Sequence, residues 1–324
     1  MAARRDDDLS NSIDPQALLD GFRRLSRPVQ VLVVVLLIVA AIALGCAYLQ
    51  SQNVRSVAGG SPQMLLGNPS NATGDASNRD NYLMVKPYFA LSYNSTKGTP
   101  NWVSWQVSAA DLGSAPRAPE FAPDTALPPG FNQVLSKDYS GSGFDRGHMC
   151  PHSDRGGNQD MSYATFVMTN IIPQAPNVNR KAWEQLESYG RHLVKDENDR
   201  IYVASGPSGS GGRGKNGFRQ ALARGQVTVP AECWKIIVAV PQDGGDDDLA
   251  KINANTRVIA VIMPNDEQAV GEEWAGFRTS VAEVERHTGL HFFDRLAPSV
   301  AAALRQKVDA ERIPPPKPRH YGAE

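Results

Sequence analysis

The chain reads as an α+β protein, a mixed β-sheet core with flanking helices, preceded by one transmembrane helix. Three observations predict this. Short runs rich in β-branched and aromatic residues recur without alternating regularly with helical patterns, which argues against a doubly wound parallel sheet. Helical spacing is clear in only a few places, chiefly 179–194 and 281–288. A run of nineteen uncharged, mostly apolar residues, 31–49, stands apart from the rest and is followed by a polar stretch. The 324 residues, 41% apolar and 21% charged, suit a globular chain and exclude disorder throughout. Thirty-three Lys and Arg against 34 Asp and Glu leave a net charge of -1, so no global positive field draws in a polyanion and any nucleic-acid contact must be local. Three cysteines, one inside the apolar run, exclude a disulfide framework and a four-thiolate zinc site.

Taken in order, residues 1–30 form a cytoplasmic segment, because Arg23, Arg24 and Arg27 precede the apolar run and only Arg55 follows it closely. Residues 31–49 are close to the roughly 20 that span a bilayer and read as a signal anchor. The charged segment before them and their full spanning length favour an anchor over a cleaved signal peptide. Cys46 after Leu44 and Gly45 hints at a lipoprotein site, against which stands Ala43 where Leu is usual. The domain beyond the membrane then faces the periplasm or the exterior. Residues 50–63, rich in Ser, Gly and Gln, are a flexible linker, and the folded domain occupies 64–310. Strands are predicted at 87–93, 102–107, 165–169, 200–204, 235–240 and 257–263. Helices are predicted at 179–194, at 281–288 with Ser280 and Glu283 as a capping box, and from Pro298 to Asp309. The DGGDDD stretch at 243–248 reads as a solvated hairpin loop, and the Pro-rich tail 311–324 as extended chain. Trp183, Trp234 and Trp274 adjoin apolar elements and read as core.

Residues 141–155, GSGFDRGHMCPHSDR, pack glycines, two Asp-Arg pairs and two histidines into a stretch with little capacity to form core. Polar density of this kind marks a site. Further on, Asn179, Trp183, Glu187 and Arg191 fall at i, i+4, i+8 and i+12, a slanting stripe on one helix. Together the two segments supply what phosphodiester hydrolysis requires. His148, with an ordinary pKa near 6.5, can take a proton from water at neutral pH. Asn179 offers a hard neutral oxygen to Mg²⁺, which keeps several waters and needs few protein ligands; Mn²⁺ is the alternative ion. Glu187 lies roughly 12 Å of helix rise beyond Asn179, which assigns it to a metal-bound water rather than to the ion itself.

FDRGHMCPHSDR followed by NxxxWxxxExxxR resembles the DNA/RNA non-specific endonucleases of the DRGH type, a branch of the ββα-metal (His-Me finger) superfamily. The likeness extends from about Tyr82 to Asp309, through stretches such as YFALSYNSTKGTPNWVSWQ and ATFVMTNIIPQAPNVNRKAWEQLE. It implies a ββα-metal finger, His148 as general base, Asn179 as the single protein ligand of the metal and Glu187 on its water shell. It further implies Arg117 and Arg191 on the scissile phosphate, Asp145 supporting the local geometry, Arg146 near the phosphate, DNA and RNA as substrates and 5′-phosphate products. Arg117 rests only on its place in LGSAPRAPEF. His152 stands where small residues are common in the family and reads as a loop residue in preference to a second imidazole. Cys150 and Cys233 either pair or remain thiols.

The GSGGRGKN stretch at 209–216 approaches a phosphate-cradling loop but lacks the metal-binding hydroxyl at Asn216. It instead offers Arg213, Lys215 and Arg219 as a local basic patch for a nucleic-acid backbone. A non-catalytic surface receptor for DNA and an exonuclease of the same fold are the alternative readings. Oligomeric state and any inhibitor protein are left open.

Overall fold

The computed structural model describes residues 60–243, 247–269, 271 and 273–313, together with 23, 26–36 and 39 near the amino terminus. The chain divides into two units, Met1–Asn53 and Val54–Glu324. In the first, residues 27–36 are helical. Among the described residues no helix is long and apolar enough to cross a membrane. Most of the anchor predicted at 31–49 lies outside them, at 37–38 and 40–49, as do 50–59 of the linker and 314–324 of the tail.

The linker ends sooner than predicted. Ser61 caps a short turn, Pro62–Met64, and Gln63 is buried, its Oε1 accepting from the Gln106 backbone N–H at 2.9 Å. Three antiparallel strands follow: β1 (Tyr82–Val85), β2 (Ala90–Asn94) and β3 (Thr99–Val107). Next come β4 (Asp145–His148), α1 (Gln159–Ala164) and β5 (Ile171–Gln174), then a π-helical turn, Val178–Trp183, leading into α2 (Glu184–Asp196). The chain continues through β6 (Asp199–Ser208), β7 (Gly212–Gly214), β8 (Gly217–Arg219), β9 (Ala221–Leu222), β10 (Val227–Thr228) and β11 (Glu232–Pro241). It closes with α3 (Asp248–Lys251), β12 (Arg257–Pro264), β13 (Arg278–Thr279), α4 (Val281–Thr288) and α5 (Pro298–Gln306).

Seven strands form one antiparallel sheet in the order β1-β2-β3-β6-β11-β12-β13. Both of its faces are covered, so its central strands read as continuous apolar runs. Along β11, Cys233, Ile237 and Ala239 join the core beneath α2, whereas Trp234, Ile236, Val238 and Val240 join a second core beneath α4 and α5. A third small cluster, including Phe144, Ile171, Leu222 and Val229, underlies the β4–β5 pair. Trp183, Trp234 and Trp274 are buried, as predicted.

Four predicted strands fall within β3, β6, β11 and β12. The strand predicted at 87–93 begins at Ala90, because Pro87 lies in a turn closed by the Lys86 N–H on the Phe89 carbonyl at 3.0 Å. The strand predicted at 165–169 is absent. Thr165 ends α1, its hydroxyl donating to the Ser162 carbonyl at 2.8 Å, and the strand proper starts at Ile171. The loop at 243–248 is not wholly solvated, since Asp248 is buried and accepts from Arg200 Nη1 at 2.9 Å and the Tyr202 hydroxyl at 2.8 Å. At α4 only half of the predicted capping box forms: Ser280 Oγ accepts from the Glu283 N–H, while the Glu283 carboxylate turns to Arg286 Nε at 2.9 Å. Cys150 and Cys233 are both buried free thiols.

Candidate active site

The site is built on a strand-strand-helix unit. β4 pairs antiparallel with β5 in the register Asp145↔Gln174, Gly147↔Ile172, His148↔Ile171, and the chain then enters the π turn and α2. Gly147 is required by this close pairing, because a Cβ there would meet Gln174 Oε1 at 2.3 Å and its Cβ at 2.7 Å.

The His148 ring sits between Phe121, 5.2 Å away, and Phe166, 4.7 Å away and nearly perpendicular. Its Nε2 is enclosed and has no hydrogen-bond partner among the described residues. Burial, reinforced by Arg117 and then His152, pushes its pKa down to about 3, so the imidazole is neutral at physiological pH. Arg117, which rested on the loosest sequence ground, lies with its guanidinium 5.2 Å from the same Phe166 ring. His152 belongs to this group too, contrary to its reading as a loop residue. Its ring is 6.0 Å from Phe166, and burial followed by Arg117 and Arg191 brings its pKa to about 4.

Asp145 organises the other half. Its Oδ2 accepts from Asn179 Nδ2 at 2.9 Å and from Arg180 Nε at 2.7 Å, and its Oδ1 accepts from Arg180 Nη2 at 2.7 Å. A carboxylate only accepts, so the Asn179 amide must present its nitrogen to Asp145 and keep Oδ1 for another donor or a cation. Arg146 donates through Nε and Nη2 to the Ser136 carbonyl, at 3.0 and 2.6 Å, and lies 5.8 Å from the Phe121 ring that flanks His148.

Glu187 is held from the sheet. Its Oε1 accepts from Lys235 Nζ at 2.9 Å, and that ammonium, on a residue only 1% exposed, stands 4.2 Å from the Trp183 ring centroid and 5.6 Å from that of Trp105. Burial raises the Glu187 pKa while Lys235 and Arg191 oppose the rise. Arg191 Nη1 donates to Asp154 Oδ1 at 3.0 Å, and Asp154 Oδ2 accepts from Trp105 Nε1 at 3.0 Å. The structure therefore links Glu187, Arg191, Asp154 and Lys235, and sets Arg117, His148 and His152 around Phe166. Asp154, Arg180 and Lys235 were missed by the sequence reading. Asp154 was visible as the second Asp-Arg pair of the motif, and Lys235 as one cation inside the apolar run WKIIVAV. Arg213, Lys215 and Arg219 are exposed on β7, β8 and the turn between them, outside this network.

Among the described residues no group of three or more His, Cys, Asp or Glu is gathered to hold a metal. The free amide oxygen of Asn179 suits a divalent ion that keeps most of its waters.

Residues 66–299 match the family model of the DNA/RNA non-specific endonucleases. A nuclease of Nostoc sp. is 44% identical over 273 residues, which cover 83% of this chain and 95% of that one. The human mitochondrial nuclease EXOG is 32% identical over 213 residues, 64% of this chain and 55% of its own length. The solved complex of EndoG with EndoGI superimposes with a TM-score of 0.55 at 26% identity, covering 66% of this chain and 86% of that chain. The chain whose Asn-headed helix follows a π turn beside a DRGH strand thus has nuclease relatives across most of its folded part: it belongs to the DNA/RNA non-specific endonuclease family, and it is a nuclease.

Proposed function

We propose that the protein is a Mg²⁺-dependent endonuclease that hydrolyses DNA and RNA to 5′-phosphate products with little sequence preference. The observation that carries this reading is a neutral, half-buried His148 on the same short strand as Asp145, which turns the amide of Asn179. Bound at Asn179, the ion would supply Lewis-acid stabilisation of the departing 3′ oxygen. His148 accepts the proton of the attacking water. Arg117 and Arg191 neutralise phosphate charge as it builds, Arg191 being aimed by Asp154 and Arg146 standing close behind Phe121. Glu187, braced by Lys235, orders water on the metal side. Arg213, Lys215 and Arg219 extend the contact along the nucleic-acid backbone.

Incubating the full-length chain with supercoiled plasmid tests this. Nicking is expected with Mg²⁺ or Mn²⁺ and not with EDTA, and His148→Ala is expected to slow it by about 10²- to 10⁴-fold. Nicking at an unchanged rate in that variant overturns the role of His148.

The same reading includes a single membrane anchor at 31–49 that holds the nuclease domain outside the cytoplasm. It is supported by the uncharged run and by the arginines preceding it.

A further inference from the structure

The β7–β8 hairpin carries an aromatic side chain that neither the catalytic network nor the cores use. Phe218 is 57% exposed, and its register partner across the ribbon is Arg213. Directly paired residues in an antiparallel ribbon present their side chains on the same face, so a ring and a guanidinium are displayed together. Lys215 is exposed in the adjoining turn. Among the described residues Lys215 has no ion-pair partner, and Arg213 reaches Asp266 only at 3.6 Å in an exposed contact of little energetic worth. The tip of the Phe218 ring rests against Gly211, where a Cβ would strike it at 2.5 Å, so the glycine lets the ring lie down while its remaining surface faces solvent.

This hairpin is fastened to both halves of the catalytic unit. The Lys215 N–H donates to the Gly143 carbonyl at 3.0 Å and Asn216 Nδ2 to the Gly141 carbonyl at 3.0 Å, on the loop that leads directly into β4. On its other side the Arg213 N–H donates to the Asn265 carbonyl at 2.9 Å, and Asn265 Oδ1 accepts from the Ala175 N–H at 2.7 Å, just before the π turn that bears Asn179. A strand seated on the hairpin is thereby fixed relative to both His148 and Asn179.

We propose that this hairpin is a seat for single-stranded nucleic acid, in which Phe218 stacks an unpaired base while Arg213 and Lys215 hold the flanking phosphates. The proposal rests on the nuclease reading of the neighbouring site and adds a preference for unpaired substrate. Every base has a π face, so an exposed ring flanked by cations recognises single strands without reading sequence. Paired bases within a duplex are already stacked and cannot occupy it.

Fluorescence anisotropy of the full-length chain with a labelled single-stranded oligonucleotide and its blunt duplex, in EDTA so that nothing is cut, tests the seat. Phe218→Ala is expected to weaken single-strand binding on the order of tenfold and duplex binding by less than about twofold, and Phe218→Trp to restore it. Removing both cations as Arg213→Gln with Lys215→Gln is expected to lower the salt slope by about two phosphates' worth. Unchanged single-strand affinity in Phe218→Ala, or equal losses on both substrates, overturns the proposal. Cleavage in Mg²⁺ separates the two readings. A wild-type chain that cuts neither polymer yet binds through Phe218 refutes the nuclease reading alone, whereas one that cuts normally with Phe218→Ala indistinguishable in binding refutes the seat alone.

Discussion

At the scale of single residues the site depends on groups that orient other groups. Lys235 is the clearest. It is a buried cation within a largely apolar strand, and it is tolerated because Glu187 answers it at 2.9 Å and two indole rings face it. Lys235→Met leaves Glu187 buried without its cation and is expected to lower stability by about 3–5 kcal/mol, whereas adding Glu187→Gln recovers most of that loss. Urea unfolding of the single and double variants checks this; additive losses would mean that the pair is not coupled. Acid exposes a second residue effect. His148 and His152 titrate near 3 and 4, below the unfolded value of about 6.5, so between those limits the unfolded chain binds protons that the folded chain refuses. The stability that rests on their neutral state is complete above pH 6.5 and is lost as pH falls through that window. A single such proton steepens the loss by at most about 1.4 kcal/mol per pH unit. His148→Gln is therefore expected to show a shallower decline in urea midpoint from pH 6 to pH 4, and parallel declines would count against the neutral ring. Candidate residues were legible where the motif carried polar chemistry of its own, as at His148, Asn179 and Glu187, which the structure sets on β4, the π turn and α2. Lys235 and Asp154 were not, because their partners lie 48 and 37 residues away in sequence and only the fold reveals the pairing.

At the scale of elements, β4 and β5 meet so closely that Gly147 has no room for a methyl group. Gly147→Ala is expected to cost about 2 kcal/mol through overpacking, seen as a melting-temperature drop of roughly 5 °C, together with a loss of nicking as His148 shifts with the strand. An unaltered melting temperature would show that Gln174 can move aside. The long sheet strands could be read from composition, since β-branched and aromatic runs covered on both faces leave an unbroken apolar record. β5 could not. Its four residues, Ile-Ile-Pro-Gln, follow a Thr-rich stretch of equal β propensity, and the boundary was set by Thr165 closing α1. The helix predicted from 179 is π-helical up to Trp183, so the slanting stripe calculated for regular α geometry holds only from Glu184 onward.

At the scale of the whole molecule, a charge of -1 combines with basic groups gathered locally, and binding is expected to weaken with salt as for a few phosphate contacts. The proposed anchor predicts that the full-length chain sediments with membranes after cell lysis and resists extraction by high salt, while a chain starting at Gly60 stays in the supernatant. Recovery of the full-length chain in the supernatant would remove the anchor from the reading. The large sheet also has guarded borders. At one end β13 is two residues long, and at the other a bridge from Thr73 to Tyr82 covers the start of the four-residue β1. Such short, shielded rims give a neighbouring copy little backbone to zip onto. The two outermost strands of this sheet are therefore poor templates for edge-to-edge growth into fibrils.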